Sequence, residues 1–280
     1  MAASAAVAVL PAHAADKLAA DKLDAKPGFG IQLYSVAKDL QRDFAGTLSR
    51  LRAMGYTEVE FAGFGNRTAK DVRAALDAAG MTCRSAHYSV PELQDLDHTM
   101  TFAKEVGIQY MICAFPRAVQ ANCPTPGEWK WNADFLNTVG TQAKKAGLTV
   151  GYHNHNIEFL KTGGRTGLED LMQRTDPAAV TFELDCGWAA AAGVDPVGLL
   201  AAYPGRFRLL HVKDIRRGMK LNTTLQMDPA EVGKGTLDWM KVLSAAAAAG
   251  VQQYYVELEP ALTPAVFDAV RDTRDYLVKL

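Results

Sequence analysis

Carboxylate and imidazole side chains recur close to the ends of the last four β-rich segments of the chain. These side chains belong to Glu158, Asp185, His211 and Glu257. If they meet at one point, the carboxylates cannot all stay ionised without a compensating cation. An oxygen-rich donor set with one imidazole suits Mn²⁺, Mg²⁺ or Co²⁺ better than a thiol-selective site does, and Zn²⁺ is also compatible with it. We therefore expect a divalent-metal site, the alternative being separate ion pairs with Lys213, Arg206 or Arg208.

Convergence requires that the segments carrying these residues are neighbouring strands of one sheet. From residue 28 onward, β-rich runs alternate with helical patterns about every thirty residues, which is typical of repeated βα units. The predicted strands cover residues 30–34, 57–61, 82–88, 109–115, 148–155, 180–185, 206–212 and 253–259. Eight such units without a linker predict an α/β fold with one domain, a single (β/α)8 TIM barrel over residues 28–280.

Glycines mark five junctions between a helix and the next strand, where a left-handed residue ends a helix. They are Gly55, Gly80, Gly107, Gly147 and Gly250. In the segment after the fourth strand, Trp129 and Trp131 are expected to lie in a long loop that could form a lid over the site.

Alternation along each strand places further polar groups on the face that carries the candidate ligands. Residues two apart share a face, so Glu183 accompanies Asp185, Lys213 accompanies His211, and Glu259 accompanies Glu257. The earlier strands add Gln32, Tyr34, Glu60, Ser85, His87, His153 and His155. A barrel interior is normally apolar and packed, so ionisable groups at strand ends favour a functional explanation.

Several motifs, taken together and in their order along the chain, carry a resemblance to a known family. They are GIQLYS (30–35), YHNHNIEF (152–159), ELDCGW (183–188), DP (195–196), LHVKD (210–214), VGKG-x-x-DW (232–239) and YYVELE (254–259). Together they resemble the sugar isomerase/epimerase superfamily with xylose-isomerase-like barrels, over nearly the whole chain after residue 28. The resemblance implies a divalent metal, with Mn²⁺ expected, bound by Glu158, Asp185, His211 and Glu257. It also implies that Glu158 and Glu257 shuttle a proton on opposite faces of the substrate carbon.

Two of these assignments have alternatives within the chain. His153 or His155 could take the place of Glu158, because the fifth strand ends in His153-Asn154 rather than in a Glu-Pro motif. Glu259 is the alternative to Glu257, whose face it shares.

The implied chemistry begins with loss of a proton next to a carbonyl. A metal that binds the carbonyl and an adjacent hydroxyl acts as a Lewis acid and stabilises the enediolate that forms. Return of the proton gives an epimer or an isomer, whereas expulsion of a β-substituent gives elimination. The predicted function is a divalent-metal-dependent sugar isomerase or epimerase. The alternative is a metal-dependent lyase or hydratase that acts on 3-keto-glycosides by β-elimination.

Other residues near the strand ends are expected to bind the substrate. These are His153, His155, Lys213, Trp188, His87 and Glu60. Trp188 would offer an apolar platform to a sugar face, and Lys213 would bind a hydroxyl or an oxyanion unless it only forms a salt bridge within the site. Two histidines beside a carboxylate favour substrate or proton handling.

Composition excludes several classes of partner. Lys plus Arg total 30 against 31 for Asp plus Glu, which gives a net charge of −1. A chain with this charge has no overall positive potential to attract the phosphate backbone of a nucleic acid. This balance also disfavours a metal-dependent apurinic endonuclease on the same barrel. No apolar run approaches the roughly eighteen residues of a bilayer span. The expected partner is a small-molecule sugar or keto-glycoside, and a homo-oligomer is compatible with the sequence. A non-catalytic sugar-binding barrel is the alternative to an enzyme.

The first residues differ in composition from the rest. Residues 1–15 are small and apolar, and Ala12-His13-Ala14 fits a signal-peptidase site, so we expect a signal-peptide remnant there and a flexible linker over 16–27. This predicts a periplasmic or secreted protein, or a cytoplasmic one if the stretch is not a signal. The four cysteines show no CxxC pair and are expected in the core, although Cys113 and Cys123 could form a disulfide.

Overall fold

The computed structural model of the protein describes residues 28–117, 124–259 and 265–280. The predicted signal-peptide remnant, the predicted linker and Cys123 lie outside these ranges. Cys83, Cys113 and Cys186 are buried, as expected for core residues. No helix in the described ranges is long and apolar enough to cross a bilayer.

Within the described residues, eight parallel strands form a closed barrel in chain order, and the last strand pairs with the first. The strands are β1 (Phe29–Gln32), β2 (Glu58–Phe61), β3 (Thr82–Tyr88), β4 (Tyr110–Cys113), β5 (Thr149–His153), β6 (Val180–Asp185), β7 (Phe207–Val212) and β8 (Gln253–Val256). Two short antiparallel pairs lie outside the barrel, Lys161–Thr162 with Arg165–Thr166 and Asp214–Ile215 with Pro229–Ala230. The predicted TIM barrel is confirmed.

Four strands end earlier than the sequence pattern predicts. β1 stops at Gln32, whose side-chain oxygen accepts a hydrogen bond from the backbone N–H of Tyr34 at 3.1 Å and so begins a 3-10 turn, Leu33–Val36. β4, β5 and β8 likewise leave residues 114–115, 154–155 and 257–259 beyond the ladder. Several candidate site residues therefore lie on the segments that follow the strands rather than in them.

Helices follow the strands around the outside of the barrel. They are α1 (Ala37–Arg42), α2 (Phe44–Ala53), α3 (Ala69–Ala79), α4 (Val90–Gln94), α5 (Leu96–Val106), α6 (Pro126–Lys145), α7 (Gly167–Arg174), α8 (Cys186–Ala191), α9 (Pro196–Ala202), α10 (Trp239–Ala249) and α11 (Val266–Leu277), with a 3-10 turn at Ile157–Phe159. The five junction glycines all have positive φ, and Gly80, Gly107 and Gly250 end α3, α5 and α10 as predicted.

The prediction that Trp129 and Trp131 lie in a loop over the site is wrong. Both belong to α6, which begins early because Thr125 forms a capping box with Glu128. Trp129 is buried against Gly167, where an added Cβ would lie 2.2 Å from the indole ring. Trp131 lines the cavity described below.

The barrel interior changes from apolar to polar along the strands. Toward their amino ends, Ile112, Leu209 and Tyr255 form a buried cluster. Two and four residues after Leu209 on the same face come His211 and Lys213, which are 0% and 2% exposed. The predicted alternation thus places the ionisable groups at the carboxyl ends of the strands, above an apolar plug.

Asp214 organises the loop that leads into α10. Its buried carboxylate accepts hydrogen bonds from the backbone N–H groups of Thr236 at 2.8 Å and Leu237 at 3.2 Å, and from Trp239 Nε1 at 3.0 Å. Gly235 passes so closely that an added Cβ would lie 2.2 Å from Asp214 Oδ1. The loop therefore folds around one carboxylate.

Asp214→Ala is expected to lower the free energy of unfolding by about 3 kcal/mol or more, because several buried donors lose their acceptor together. Urea unfolding followed by circular dichroism measures the loss. Asp228→Ala is the matched control, since Asp228 forms an exposed ion pair with Arg216 at 3.0 Å and should lose at most about 1 kcal/mol. Equal losses in the two variants would contradict the central role of Asp214.

Candidate active site

A cavity of about 1020 Å³ opens at the carboxyl ends of the barrel strands. Six of the predicted site residues line it, namely His87, His153, His155, Trp188, Lys213 and Glu257. The other four are fully buried and are not among its described lining residues; they are Glu60, Glu158, Asp185 and His211. The structure thus brings the predicted residues to one end of the barrel but divides them between the cavity wall and the layer behind it.

His211 is the centre of the buried layer. Its Nδ1 lies 2.6 Å from Glu257 Oε2 and 3.7 Å from Asp185 Oδ2, while its Nε2 lies 2.6 Å from Glu60 Oε2. Burial alone would lower the pKa of this imidazole, but the charges of Glu183 and Glu60 outweigh burial and raise the pKa well above its ordinary value. One ring nitrogen therefore faces two candidate metal ligands, and a carboxylate orients the other nitrogen, as is common for metal-ligating histidines.

A second buried group surrounds Glu183. Its Oε2 lies 2.8 Å from His87 Nε2, 3.0 Å from His153 Nδ1 and 3.2 Å from His211 Nε2. Burial would raise the pKa of this carboxyl, but the imidazoles hold it well below its ordinary value. The sequence pattern places Glu183 on the face of Asp185, two residues away on β6, but assigns it no role.

Lys213 contacts three carboxylates at the cavity wall. Its Nζ lies 3.2 Å from Asp185 Oδ2, 3.1 Å from Glu257 Oε1 and 3.0 Å from Glu259 Oε1. Burial would lower the pKa of the ammonium group, but the carboxylates outweigh burial and raise it. The Nζ also lies 5.4 Å from the ring centroid of Trp188. The salt bridge expected as one alternative for Lys213 is therefore present, on a side chain that also lines the cavity.

Glu158 lies apart from the other candidate ligands. After β5 the chain turns into the 3-10 turn that carries Glu158, whose carboxylate accepts hydrogen bonds from the Tyr152 hydroxyl at 2.6 Å and the His155 N–H at 2.8 Å. Burial raises the pKa of Glu158 to about 7. In the described parts of the chain, the groups with donor atoms close enough to share a metal ion do not include it. The contribution of Tyr152 was not predictable from strand alternation, because its partner lies on a turn.

Glu60 lies behind His211 rather than in the cavity wall. Its Oε2 accepts a hydrogen bond from Gln32 Nε2 at 2.9 Å and lies 3.4 Å from His87 Nε2. Contact between Glu60 and the substrate stays a prediction. The 2.6 Å contact of Glu60 Oε2 with His211 Nε2 favours a role in holding His211 in place.

His153 and His155 share one face, as alternation predicts, and both line the cavity. Burial lowers the pKa of His153 to about 4 and that of His155 well below its ordinary value, so both rings are neutral at neutral pH. His155 stacks on Phe115, with ring centroids 4.2 Å apart. Neutral imidazoles in a cavity wall can accept hydrogen bonds from substrate hydroxyls.

The donor set fits a divalent cation. Two groups have donor atoms within 4.8 Å of one another: Asp185, His211 and Glu257 form one, and His87, His153, Glu183 and His211 form the other. Asp185 Oδ2 is buried without a well-formed hydrogen bond from any described residue, although Lys213 Nζ approaches it to 3.2 Å. A buried carboxylate oxygen in this state is costly unless a cation satisfies it. Carboxylate and imidazole ligands do not by themselves select one metal.

Glu158→Gln is expected to leave the metal content of the purified protein unchanged, because the carboxylate lies outside both donor groups and a glutamine oxygen can still accept the His155 N–H. Elemental analysis after dialysis against Mn²⁺ measures the content per chain. A loss as complete as that expected for Asp185→Asn would instead establish Glu158 as a ligand.

Comparisons with known proteins agree with this architecture. The chain is 30% identical over 201 residues to an inosose dehydratase of Clostridium beijerinckii, covering 63% of this chain and 65% of that protein. It is 26% identical over 267 residues to an inosose dehydratase of Geobacillus thermodenitrificans, covering 84% and 88%. The crystal structure of a sugar phosphate isomerase/epimerase from Parabacteroides distasonis superposes with a TM-score of 0.75 and 28% identity, over 90% of this chain and 93% of that one.

The family model described as xylose isomerase-like TIM barrel matches residues 48–279, which is most of the chain. Relatives in this fold that carry the names dehydratase, epimerase and isomerase are enzymes. By fold, by sequence match and by the motifs that first indicated it, this chain belongs to the family of xylose isomerase-like TIM barrels.

Proposed function

We propose that the protein is a divalent-metal-dependent enzyme that removes a proton next to the carbonyl of a sugar and returns it to give an isomer or epimer. The observation that carries this proposal is the convergence of Asp185, His211 and Glu257 beside a cavity of about 1020 Å³. These three residues would hold the metal, and a bound divalent ion would polarise the substrate carbonyl. We propose Mn²⁺, with Mg²⁺, Co²⁺ and Zn²⁺ as other outcomes of metal analysis.

Glu257 is the residue that removes the proton. Burial would raise the pKa of its carboxyl, but Lys213 and His211 hold that pKa well below its ordinary value, so the group is ionised. It lines the cavity and can reach a substrate there. Lys213 beside it can donate a hydrogen bond to a substrate oxygen on which negative charge develops.

His87 is placed to give a proton back. Burial would lower the pKa of this imidazole, but the charges of Glu60 and Glu183 outweigh burial and raise it. A protonated imidazole in the cavity wall is a suitable general acid. Trp188 would pack against a sugar face, while His153 and His155 accept hydrogen bonds from hydroxyls.

β-Elimination is the second candidate, and the position of Glu158 favours it. A two-glutamate shuttle needs a carboxylate on each face of the reacting carbon, yet the Glu158 carboxylate is bound by Tyr152 and His155. With Glu257 as base, loss of a β-substituent needs only an acid such as His87. The sequence relatives are named for dehydration, whereas the structural relative is named for isomerisation.

Incubation of the Mn²⁺-loaded protein in D₂O with aldoses, ketoses, inososes and 3-keto-glycosides tests the proposal. We expect NMR to detect deuterium at the carbon next to the carbonyl of a member of this panel. Deuterium without bond cleavage identifies an isomerase or epimerase, and release of water or an aglycone identifies a lyase. Glu257→Gln should lower either rate by about a hundredfold or more. Neither product anywhere in the panel, with the metal site shown to be loaded, would refute the proposal.

We further propose that residues 1–15 direct export, on the basis of their small apolar composition and the Ala12-His13-Ala14 site. An exported enzyme would meet free sugars or glycosides rather than sugar phosphates, which are mainly cytosolic. Cell fractionation of the chain with and without residues 1–15 tests this, and cytoplasmic recovery of both forms would contradict it.

A further inference from the structure

The cavity is larger than one sugar ring requires. Pockets of about 300–1,000 Å³ hold ligands of drug size, and this cavity, at about 1020 Å³, lies just above the upper end of that range. The proposed chemistry uses the part of the wall formed by His87, Lys213 and Glu257. The remaining part has room for a second group of the substrate.

Phe115 begins the outer part of the wall. Its residue surface is 48% exposed although its ring stacks on His155, with centroids 4.2 Å apart and an interplanar angle of 25°. His155 in turn lies 5.0 Å, centroid to centroid, from the ring of His153 in the inner part. An aromatic ring left open at the mouth of a cavity and continuous with its polar interior indicates a ligand contact rather than a random surface residue.

Trp131 provides a second aromatic surface in the same wall. Its ring stacks on Phe135, with centroids 5.2 Å apart and planes 8° apart, and the guanidinium carbon of Arg117 lies 4.6 Å from its centroid. Contacts with Phe135 on the same helix and with the Arg117 guanidinium therefore hold the indole in place. A surface that is already ordered loses little freedom when a ligand binds to it.

The charges of the lining favour an uncharged group. Apart from histidines, the cations of the described lining are Arg117 and Lys213, and Lys213 already contacts three carboxylates. Glu92, Glu257 and Glu259 oppose them in the same lining. The described lining as a whole therefore offers no net positive charge to a phosphate or carboxylate, whereas an uncharged ring packs favourably on aromatic surfaces.

We propose that Phe115 and Trp131, with the neighbouring Val90 and Pro91, form an outer subsite that binds a second, uncharged ring of the substrate. The ring is the aglycone of a glycoside, either a sugar or an aryl group, whose first sugar ring occupies the inner part of the cavity. This inference rests on the proposed function for the inner part and specifies the substrate class as a keto-glycoside, whose first ring carries the carbonyl that the chemistry needs, rather than a free monosaccharide.

Equilibrium binding of unreactive glucosides tests the outer subsite separately from the chemistry. Methyl β-D-glucoside, phenyl β-D-glucoside and cellobiose share one glucose ring and differ in the second group. With the Mn²⁺-loaded protein, we expect calorimetry to show phenyl glucoside or cellobiose binding about tenfold more tightly than methyl glucoside. An advantage for the phenyl compound alone identifies an aryl aglycone, and an advantage for cellobiose alone identifies a second sugar.

Phe115→Ala and Trp131→Ala should each reduce that advantage about threefold or more and leave methyl glucoside binding unchanged. Phe115→Leu retains an apolar side chain without the ring and should show the same loss. Met240→Ala is the control, because Met240 is 62% exposed and is not among the described lining residues. The proposal would be overturned by equal affinity for all three compounds or by no measurable binding of phenyl glucoside and cellobiose. It would also be overturned if Phe115→Ala, Trp131→Ala and Phe115→Leu left the affinity advantage unchanged. Because the probes do not react, failure in the D₂O experiment leaves this measurement unaffected.

Discussion

Asp185→Asn is expected to reduce bound metal to well below one equivalent per chain and to lower the turnover found in the D₂O experiment by at least about a hundredfold. Loss of a hydrogen bond behind a ligand already costs about 10–100-fold in metal affinity or activity, and this substitution weakens a ligand itself. The fold should survive, because Asp185 Oδ1 also caps α8 by accepting the Trp188 N–H at 2.7 Å, and asparagine is an equally good cap.

Elemental analysis and a thermal unfolding curve on the same sample separate loss of the site from loss of the fold. Asp238→Asn is the matched control, since Asp238 caps α10 through the Lys241 N–H at the protein surface. It should leave metal content and turnover unchanged. A fully metal-loaded Asp185→Asn protein would show that Asp185, His211 and Glu257 do not hold the ion.

Lys213→Met is expected to lower the free energy of unfolding of the metal-free protein by about 3–5 kcal/mol, because it removes the cation from a buried ion-pair network. Asp185, Glu257 and Glu259 each lie within 3.2 Å of the Lys213 Nζ. Gly187 lies close to the Lys213 stem, since an added Cβ there would lie 2.7 Å from Lys213 Cγ. Methionine has a similar length and no charge, so this packing would be largely retained. Urea unfolding in a chelating buffer measures the loss.

The same variant tests the metal site from a second direction. Saturating Mn²⁺ should recover part of the lost stability, because a cation beside Asp185 and Glu257 offsets the charge that Lys213 no longer neutralises. Lys241→Met is the control, as its exposed pair with Asp238 at 2.9 Å should contribute at most about 1 kcal/mol. If Lys213→Met loses no more free energy of unfolding than the control, the Lys213 ammonium group does not stabilise the three carboxylates.

The buried charges also explain how a chain with a net charge of −1 can hold a strongly polar site. Within the described residues, the carboxylates of Glu60, Glu183, Asp185 and Glu257 each face an imidazole or the Lys213 ammonium. Such an arrangement is rarely the most stable way to fill a barrel. Its presence where an α/β barrel places its active site supports the assignment of this layer to function.

Much of the barrel could be predicted from the sequence because strand periodicity is local. The alternation of side chains depends only on the pleat of the backbone, so the face shared by His211 and Lys213, and by Glu183 and Asp185, follows from their spacing. The glycine at each predicted helix end follows from the same local geometry. The early start of α6 has a local signal as well, the capping box at Thr125 and Glu128, but the length of the segment after the fourth strand by itself favours a loop.

Contacts across the barrel could not be predicted in this way. Glu60 and His211 are 151 residues apart and lie 2.6 Å from each other, because the register of the closed barrel brings β2 and β7 to the same depth. Glu158 follows β5 on a turn, where alternation no longer applies, and its carboxylate is bound by Tyr152.

The fold, the barrel end at which the ionisable groups gather, and the residue types present there could therefore be predicted from the sequence. Which of those residues reach the cavity and which lie behind it follows from their three-dimensional arrangement. Local spacing sets the direction of a side chain from its strand, whereas its depth and partners depend on how eight strands close upon one another.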